Sequence, residues 1–334
     1  ILMGDMAGKS KEGEAERGGD VGLRTLDLGL RTLSSPPLPP SIAVVSHENA
    51  RRLRRQPYLL GDLARIWRDR GHEVLFLEGT SRFVPADVAI SHVDLTVVPE
   101  DYRAFLGRFP RALNAGAADL SKRKVSRNLV SPGDGWDGPV VVKSDRNSGG
   151  LPDAELLEGG LRYRAPLRWI AGARARWFPP GLPLDESSIR AIRTLRSTAY
   201  TVFPKTGDVP PAVFENPALV VERFLPERDG GRYVVRCLFV LGDACFTYRV
   251  LSDHPIVKSP HIRVREEIPV DSGAQASARA LGLDYGKLDY VVLDGRIVVL
   301  DANRTPAIGH PTPHSFRARL AETLAPGIGG FLGS

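Results

Sequence analysis

The stretch YGKLDYVVLDGRIVVLDANRTP, Tyr285 to Pro306, decides how this chain folds. Two apolar runs, YVVL and IVVL, flank Asp294-Gly295, a pair that turns a chain back into a β-hairpin. Asp289, Asp301 and Asn303 interrupt the pattern, and such side chains are poorly suited to strands otherwise built for a core. Hard divalent cations take carboxylate and amide oxygens, and magnesium commonly uses one or two carboxylates plus substrate phosphates. Asp301 and Asn303 have an ordinary role at a strand exit, but Asp289 lies mid-strand, which favours the ligand reading. The turn then becomes a test. A two-residue loop pairs Leu293 with Arg296 and sends Asp289 and Asp301 to opposite faces. A three-residue Leu293–Gly295 loop, with Gly295 in a bulge, makes the three ligands diagonal neighbours on one face, roughly 7–8 Å apart. The three-residue loop is therefore expected.

Upstream, VVERFLPERDGG (Val220–Gly231) reads as an apolar strand leaving through a charged turn. Glu222 and Glu227 suit an amino group or ribose hydroxyls, and the backbone of Arg223, Phe224 and Leu225 offers a flat edge. RYVVRCLFVLGDACFTYRV is a hairpin around LGDA, and the helix GAQASARALGL packs beside it, giving a mixed or antiparallel sheet. Arg236, Arg249 and Lys258 on or after these strands are candidates for a phosphate or carboxylate, though each alone is an ordinary surface charge. GPVVVKSDRNSGG (Gly138–Gly150) is a strand running into a polar loop. There Lys143 would add point charge, while Ser148, Gly149 and Gly150 present backbone N–H groups to a polyphosphate. It is not a Walker loop, because no Gly-Lys-Ser/Thr closes it.

SIAVVS, YLLGDLARIWRDRG, HEVLFLEG, DVAISHVDLTVVP and EDYRAFLGRF alternate strand and helix, which implies a small α/β domain with a parallel sheet. No G-x-G-x-x-G follows its first strand. LSKRKVSRNLV (Leu120–Val130) reads as a helix leading into the next region. Residues 1–40 are rich in Gly, Ser, Lys and Glu and end in SSPPLPP, a composition expected to stay disordered; TLDLGLRTL could form a short helix, but nothing requires it. Residues 151–187 read as a mobile, Arg-rich insertion.

The chain has 334 residues, 42% hydrophobic and 25% charged, enough for two or three domains. No apolar run reaches the roughly 18 residues of a membrane span. Cys237 and Cys245 lack metal-ligand spacing and read as free thiols, from which a cytoplasmic location is expected. The formal charge of +6 rests on arginines scattered in groups such as RRLRR and RYRAPLRWIAGARARW. Without a nucleic-acid signature these read as solvated faces or as anion-binding groups. His254, His261, His310 and His314 show no metal spacing and read as loop residues.

Taken in order, these motifs resemble the ATP-grasp superfamily, in its glutathione synthetase and D-alanine–D-alanine ligase-like branch. The resemblance spans about Ser121 to Pro306. It rests on VVVKSDRNSGG as lysine strand and glycine-rich loop, ALVVERFLPE as adenine hinge, and GKLDYVVLDGRIVVLDANRTP as acidic end. It implies an α/β architecture, α+β in its C-terminal part. A parallel-sheet domain at 41–120 would precede a lid subdomain at 121–216 and a C-terminal subdomain at 217–334, the last two enclosing a nucleotide cleft. It also implies ATP held by Lys122, Lys143, Ser148, Gly149, Gly150, Glu222, Arg223, Phe224, Leu225 and Glu227, with Asp229 an alternative for the ribose. Magnesium, with manganese as its substitute, would sit on Asp289, Asp301 and Asn303, and Arg236 and Arg249 would serve catalysis. Asp301 stands where the family usually has Glu, which shortens its reach by one methylene. The implied reaction activates a small carboxylate as an acyl phosphate for attack by an amine or similar nucleophile, under a lid at Ser144–Gly150. The alternatives are an inactive ATP-binding regulatory or scaffold protein and, less favoured, a basic nucleic-acid-binding protein.

Overall fold

The computed structural model describes residues 39–53, 58–157, 181–183, 185–258, 261–308 and 312–332. Residues 1–38 of the expected tail, 158–180 of the insertion, Arg54, Arg55 and His310 lie outside the described residues. Residues Pro39–Ser334 form one unit, whose described residues make three sheets.

The first sheet is parallel. It comprises β1 (Ser41–Ser46), β2 (Glu73–Glu78), β3 (Val88–His92) and β4 (Ala112–Leu113) in the order β2-β1-β3-β4. Five of the six β1 residues are buried, as a strand covered on both faces requires. Ile42 and Val44 meet Leu60, Leu63 and Trp67 of α1 (Leu60–Asp69). Ala43 and Val45 meet Tyr102 and Phe105 of α2 (Glu100–Leu106) on the other side. Each fully buried large side chain contributes roughly 1.5–3 kcal/mol. Only Val88–His92 of the stretch DVAISHVDLTVVP is strand, and the rest is loop with an isolated bridge from Val97 to Asp119. The helix expected over Leu120–Val130 shrinks to α3 (Lys122–Val125). Its continuation runs beside the second sheet instead, where Val130 N donates to Val221 O at 2.9 Å.

That second sheet is antiparallel, with β5 (Val140–Ser144) between β6 (Thr201–Phe203) and β7 (Leu219–Arg223). One face, with Val140, Val142, Leu219 and Val221, packs on Ile189 of α5 (Glu186–Ala191) and on Ala212 and Val213 of α6 (Pro211–Glu215). The loop after β5 continues into α4 (Leu151–Leu157). The third sheet holds β8 (Glu227–Asp229), β9 (Arg232–Leu241), β10 (Ala244–Ser252), β11 (Ile262–Glu267), β12 (Tyr285–Leu293) and β13 (Arg296–Asn303). It runs β11-β10-β9-β12-β13, with β8 paired to β9. α7 (Ser272–Ala280) covers one face with Ala274 and Ala278 against Leu238, Leu288 and Tyr290. α8 (His314–Leu324) and α1 cover part of the other, against Phe239, Phe246 and Tyr285.

The β12–β13 turn corrects the sequence expectation. Leu293 pairs with Arg296, so the loop is the two-residue Asp294-Gly295, and both residues have positive φ, 48° and 72°. Positive φ at both central positions is the type I′ turn that matches strand twist, and Asp-Gly is among its preferred sequences. The acidic residues nevertheless share a face, because the bulge lies further along. Tyr290 pairs with Val299 and Asp289 with Asp301, leaving Leu300 as the extra residue. The phase change assigned to the turn is made inside β13 instead.

Candidate active site

The second and third sheets face one another across a cleft with about 770 Å³ of empty space, open solvent at its mouth included. Its roof comes from the free face of the second sheet, where Val141, Lys143 and Glu222 stand on the side away from the lid core. Its floor comes from β12 and β13, with Asp289, Val291, Leu300 and Asp301 lining it. Arg223 at the end of β7 and Phe224, Leu225 and Pro226, the connection from β7 to β8, close one end. Among the described residues nothing hydrogen-bonds the Leu225 backbone, whereas Phe224 N donates to Pro139 O at 2.8 Å.

Register explains why the floor is charged. Residues directly opposed in antiparallel strands share a face. Asp289 opposes Asp301 on one side and Cys237 on the other, while Lys287 opposes Asn303 and Phe239. Two lysines hold the two carboxylates. Lys122 Nζ lies 3.3 Å from Asp301 Oδ1, and Lys287 Nζ lies 2.9 Å from Asp289 Oδ1 without hydrogen-bond alignment. Burial works against the charged form of both lysines, but the facing carboxylates, Asp301 and Asp289 respectively, outweigh it and raise both above the usual lysine range. Burial likewise opposes ionisation of Asp301, and Lys122, Lys258 and Lys287 overcome it and hold its carboxyl below the usual range. Cys237 sits against Asp289, and burial first, then that charge, pushes its thiol up to about 12.

Lys258 differs from its neighbours. It lines the cleft beside Asp289 and Asp301 with its ammonium 5.9 Å from the centre of the Tyr200 ring, and among the described residues it has no hydrogen-bonded or ion-paired partner. Burial lowers its pKa, and the nearby carboxylates offset this only in part. An unpaired ammonium in a pocket is an open position for an anion.

Several expected site residues lie elsewhere. Glu227 is buried with both carboxylate oxygens engaged, accepting from Arg236 Nη2 at 2.6 Å, Arg236 Nε at 3.0 Å and Val292 N at 2.7 Å. It opposes Val234, so with Arg236 it occupies the face turned towards α7, away from Asp289. A ribose contact through Glu227 is therefore not available in this arrangement. Arg236 and Arg249 oppose one another on that same back face, and neither lines the cleft. Arg249 is paired with Glu266 at 2.7 Å and with Asp229 at 2.8 Å. Alternation along β9 and β10 points both away from the acidic pair.

Glu222 accepts from Lys143 Nζ at 2.6 Å, so a carboxylate expected at an adenine is neutralised by the lysine expected at a phosphate. Its other oxygen, Oε1, is buried without a partner. The loop Ser144–Gly150 is anchored rather than lid-like. Asn147 Nδ2 donates to Ala302 O at 2.9 Å and Asn147 N to Thr96 Oγ1 at 3.0 Å. Ser148, Gly149 and Gly150 all have positive φ, and a Cβ on Gly149 would meet Leu195 O at 2.5 Å. Gly149 and Gly150 are buried against that segment, and only Ser148 reaches a cavity.

That cavity is a second cleft, with about 920 Å³ of empty space, which shares Tyr200, Lys258, Asp289 and Asp301 with the first. Asn303 and Lys287 line it too. Lys287 was legible in the sequence, since it precedes Asp289 by two and therefore shares its face of the strand. Tyr200 carried no signal. Two opposed carboxylates and an amide on one edge form a donor set that fits a magnesium ion completed by phosphate oxygens. Among the described residues no group of three or more His, Cys, Asp or Glu side chains that could hold a metal ion is present, so phosphate oxygens and Asn303 would have to complete the set. Among the described residues no helix is long and apolar enough to cross a membrane.

No family model matches the sequence, and no curated protein matches it. Among solved structures the chain is similar to a RimK domain protein ATP-grasp from Sphaerobacter thermophilus, at 14% identity and TM-score 0.43 over 87% of this chain and 99% of that one. It is similar to D-alanine–D-alanine ligase from Bacillus anthracis complexed with ATP, at 12% identity and TM-score 0.40 over 87% and 95%. It is also similar to the macrocyclase MdnC bound with precursor peptide MdnA from Microcystis aeruginosa, at 12% identity and TM-score 0.42 over 85% and 99%.

Proposed function

We propose that this protein is an ATP-grasp ligase that spends ATP to activate a small carboxylate. The observation that carries the reading is the cleft itself: two antiparallel sheets, one presenting Lys143 and the other the opposed Asp289 and Asp301. The apolar end formed by Phe224, Leu225 and Val291 suits a base, with the Leu225 backbone as its edge and Glu222 Oε1 as an acceptor in want of a donor. Lys122 and Lys143 would carry the phosphates. Asp289, Asp301 and Asn303 would hold magnesium, which supplies charge neutralisation to phosphate oxygens when bound.

The chemistry needs no protein nucleophile. A substrate carboxylate oxygen attacks the γ-phosphorus, the bond from that phosphorus to the β,γ-bridging oxygen breaks, and ADP leaves. An amine then attacks the acyl carbon and phosphate departs with the bonding pair. Lysines on both sides of the transferred group stabilise its equatorial charge, and the sheets keep water from the acyl phosphate. The anchored Ser144–Gly150 loop makes a wall of the site, so closure would have to come from the second sheet moving as a body.

One observation favours a second reading. Lys122 and Lys287 already neutralise the two carboxylates, an arrangement that also suits a protein that binds nucleotide without turning it over. ADP release across amino acids, hydroxy acids and small peptides, with hydroxylamine as trapping nucleophile, separates the two. Acid-stimulated release supports the ligase; tight ATP binding with no stimulated release by any acid supports the binding protein. Salt-sensitive binding to DNA or RNA, unaffected by Asp289→Ala, would support neither.

A further inference from the structure

We propose that the second cleft selects an acid carrying a further carboxylate, and that Arg196 is the residue that reads it. The inference rests on the ligase reading, since it concerns the acceptor side of the same site. The second cleft shares Asp289 and Asp301 with the first, so an acid held in it would have its carboxylate beside the phosphoryl-transfer position. Its walls away from those acids are polar. Arg196, Ser197 and Thr198 line one side and Ser148 another, and Leu151 is the only aliphatic side chain among the described residues that line it. A pocket so lined gains little from an apolar substrate, because affinity for such groups comes from apolar area removed from water.

The cations there are of two kinds. Lys287 is matched by Asp289. Lys258 and Arg196 have no ion-pair or hydrogen-bond partner for their charged ends among the described residues, although most arginines elsewhere on this surface are paired, as Arg190 is with Glu215 and Glu186. Two unpaired cations in one cleft, one beside the phosphoryl-transfer position and one on the outer wall, match two anionic groups on one small molecule. The inner ammonium is a point charge suited to the reacting carboxylate, whereas the outer guanidinium is a planar fork suited to bidentate grip of a carboxylate that does not react.

Arg196 is also held in place by its backbone. Leu195 is buried and its N–H donates to Gly149 O at 3.0 Å, while Arg196 O accepts from Ala199 N at 2.8 Å in the turn Ser197–Ala199. The strap bearing the fork is thus fixed to the same loop that presents Ser148, and the distance between the two anion positions is set by the fold.

The test compares matched acids at fixed ATP, magnesium and hydroxylamine: succinate with butyrate, malate with 3-hydroxybutyrate, and glutamate with norvaline. At least one diacid is expected to exceed its partner tenfold or more in kcat/KM for ADP release. Arg196→Ala should raise the KM for that diacid at least tenfold with kcat within about threefold, and Arg196→Lys should recover part of the loss. Monoacids that match the diacids, an Arg196→Ala effect confined to kcat, or ATP binding with no response to any of the six acids would each overturn the inference. Absence of ATP binding, measured separately by calorimetry, would instead sink the ligase reading and this inference with it.

Discussion

On one face of the β9–β12 pair Lys287 and Asp289 stand over a cleft; on the other, one residue along each strand, Arg236 and Tyr290 stand under α7. Both faces carry cations, acids and a cysteine, yet their charges are arranged differently. On the back face the pairing is complete, since Arg236 is chelated by Glu227 and Arg249 is shared by Asp229 and Glu266. On the cleft face the lysines exceed the acids, and Lys258 is left over. A saturated ion pair fixes a structure, whereas an unsaturated cluster around a cavity waits for a ligand. The distinction between charge that holds and charge that binds is made here by a one-residue step along a strand.

The most forceful way to break that distinction is to remove an acid from the cleft face. Asp301→Asn keeps the shape of the side chain and takes away its charge. ATP turnover per folded molecule is expected to fall by about a thousandfold, on the order of 4 kcal/mol of transition-state stabilisation, and stability falls as well because buried Lys122 loses its carboxylate partner. Turnover within tenfold of the parent would mean that the opposed acids are not the phosphoryl-transfer site.

The two cysteines report on the faces independently. Cys237 lies on the cleft face, 5% exposed and with its thiol pushed up by burial and Asp289. Cys245 is on the back face, half-buried, and accepts from Gln275 Nε2 at 3.3 Å. Alkylation requires thiolate and access, so iodoacetamide at pH 8 should modify Cys245 at least about a hundredfold faster than Cys237. Peptide mass spectrometry against time reads both rates in one sample. Equal rates would show that the Cys237–Asp289 contact does not persist in solution.

Much of this architecture was legible because the signals are local. The alternation of strand and helix before Asp119 reflects a sheet covered on both faces, and β1 reads as an unbroken apolar run for that reason. Asp289, Asp301 and Asn303 stand out because acids are costly in a core strand. Where Arg236, Arg249 and Glu227 stand depends on a non-local fact. Which face of β9 meets the cleft is set by α7 covering the other one, and no motif within β9 announces it. Glu227 is hidden in the same way, since its partners Arg236 and Val292 come from different strands. The bulge at Leu300 was also invisible, because two turn lengths can be reconciled with the same final register.

Arg236→Met sharpens the comparison from the back face. The change leaves Glu227 accepting only from Val292 N, with a buried charge that has lost its cation. Stability is expected to fall on the order of 2 kcal/mol, while turnover per folded molecule stays within about threefold. Urea denaturation and steady-state kinetics on the same preparation separate the two readouts. A large loss of turnover at unchanged stability would return Arg236 to the catalytic machinery and dissolve the contrast between the faces.

The smallest expected effect concerns the turn that joins β12 to β13. Gly295 has φ of 72°, and a Cβ added there would have nothing within 4 Å. Gly295→Ala therefore costs only backbone strain, about 1 kcal/mol. The type I′ turn also leaves the phase of the strand to the bulge at Leu300, which lies well inside β13 and beyond the Leu293–Arg296 pair. Weakening the turn should therefore lower the melting temperature by a few degrees without altering nucleotide affinity, because the bulge and not the loop holds Asp301 opposite Asp289. If the same substitution weakened ATP binding in step with stability, register would be set at the turn after all, and the two faces of the sheet would owe their separation to Asp294 and Gly295.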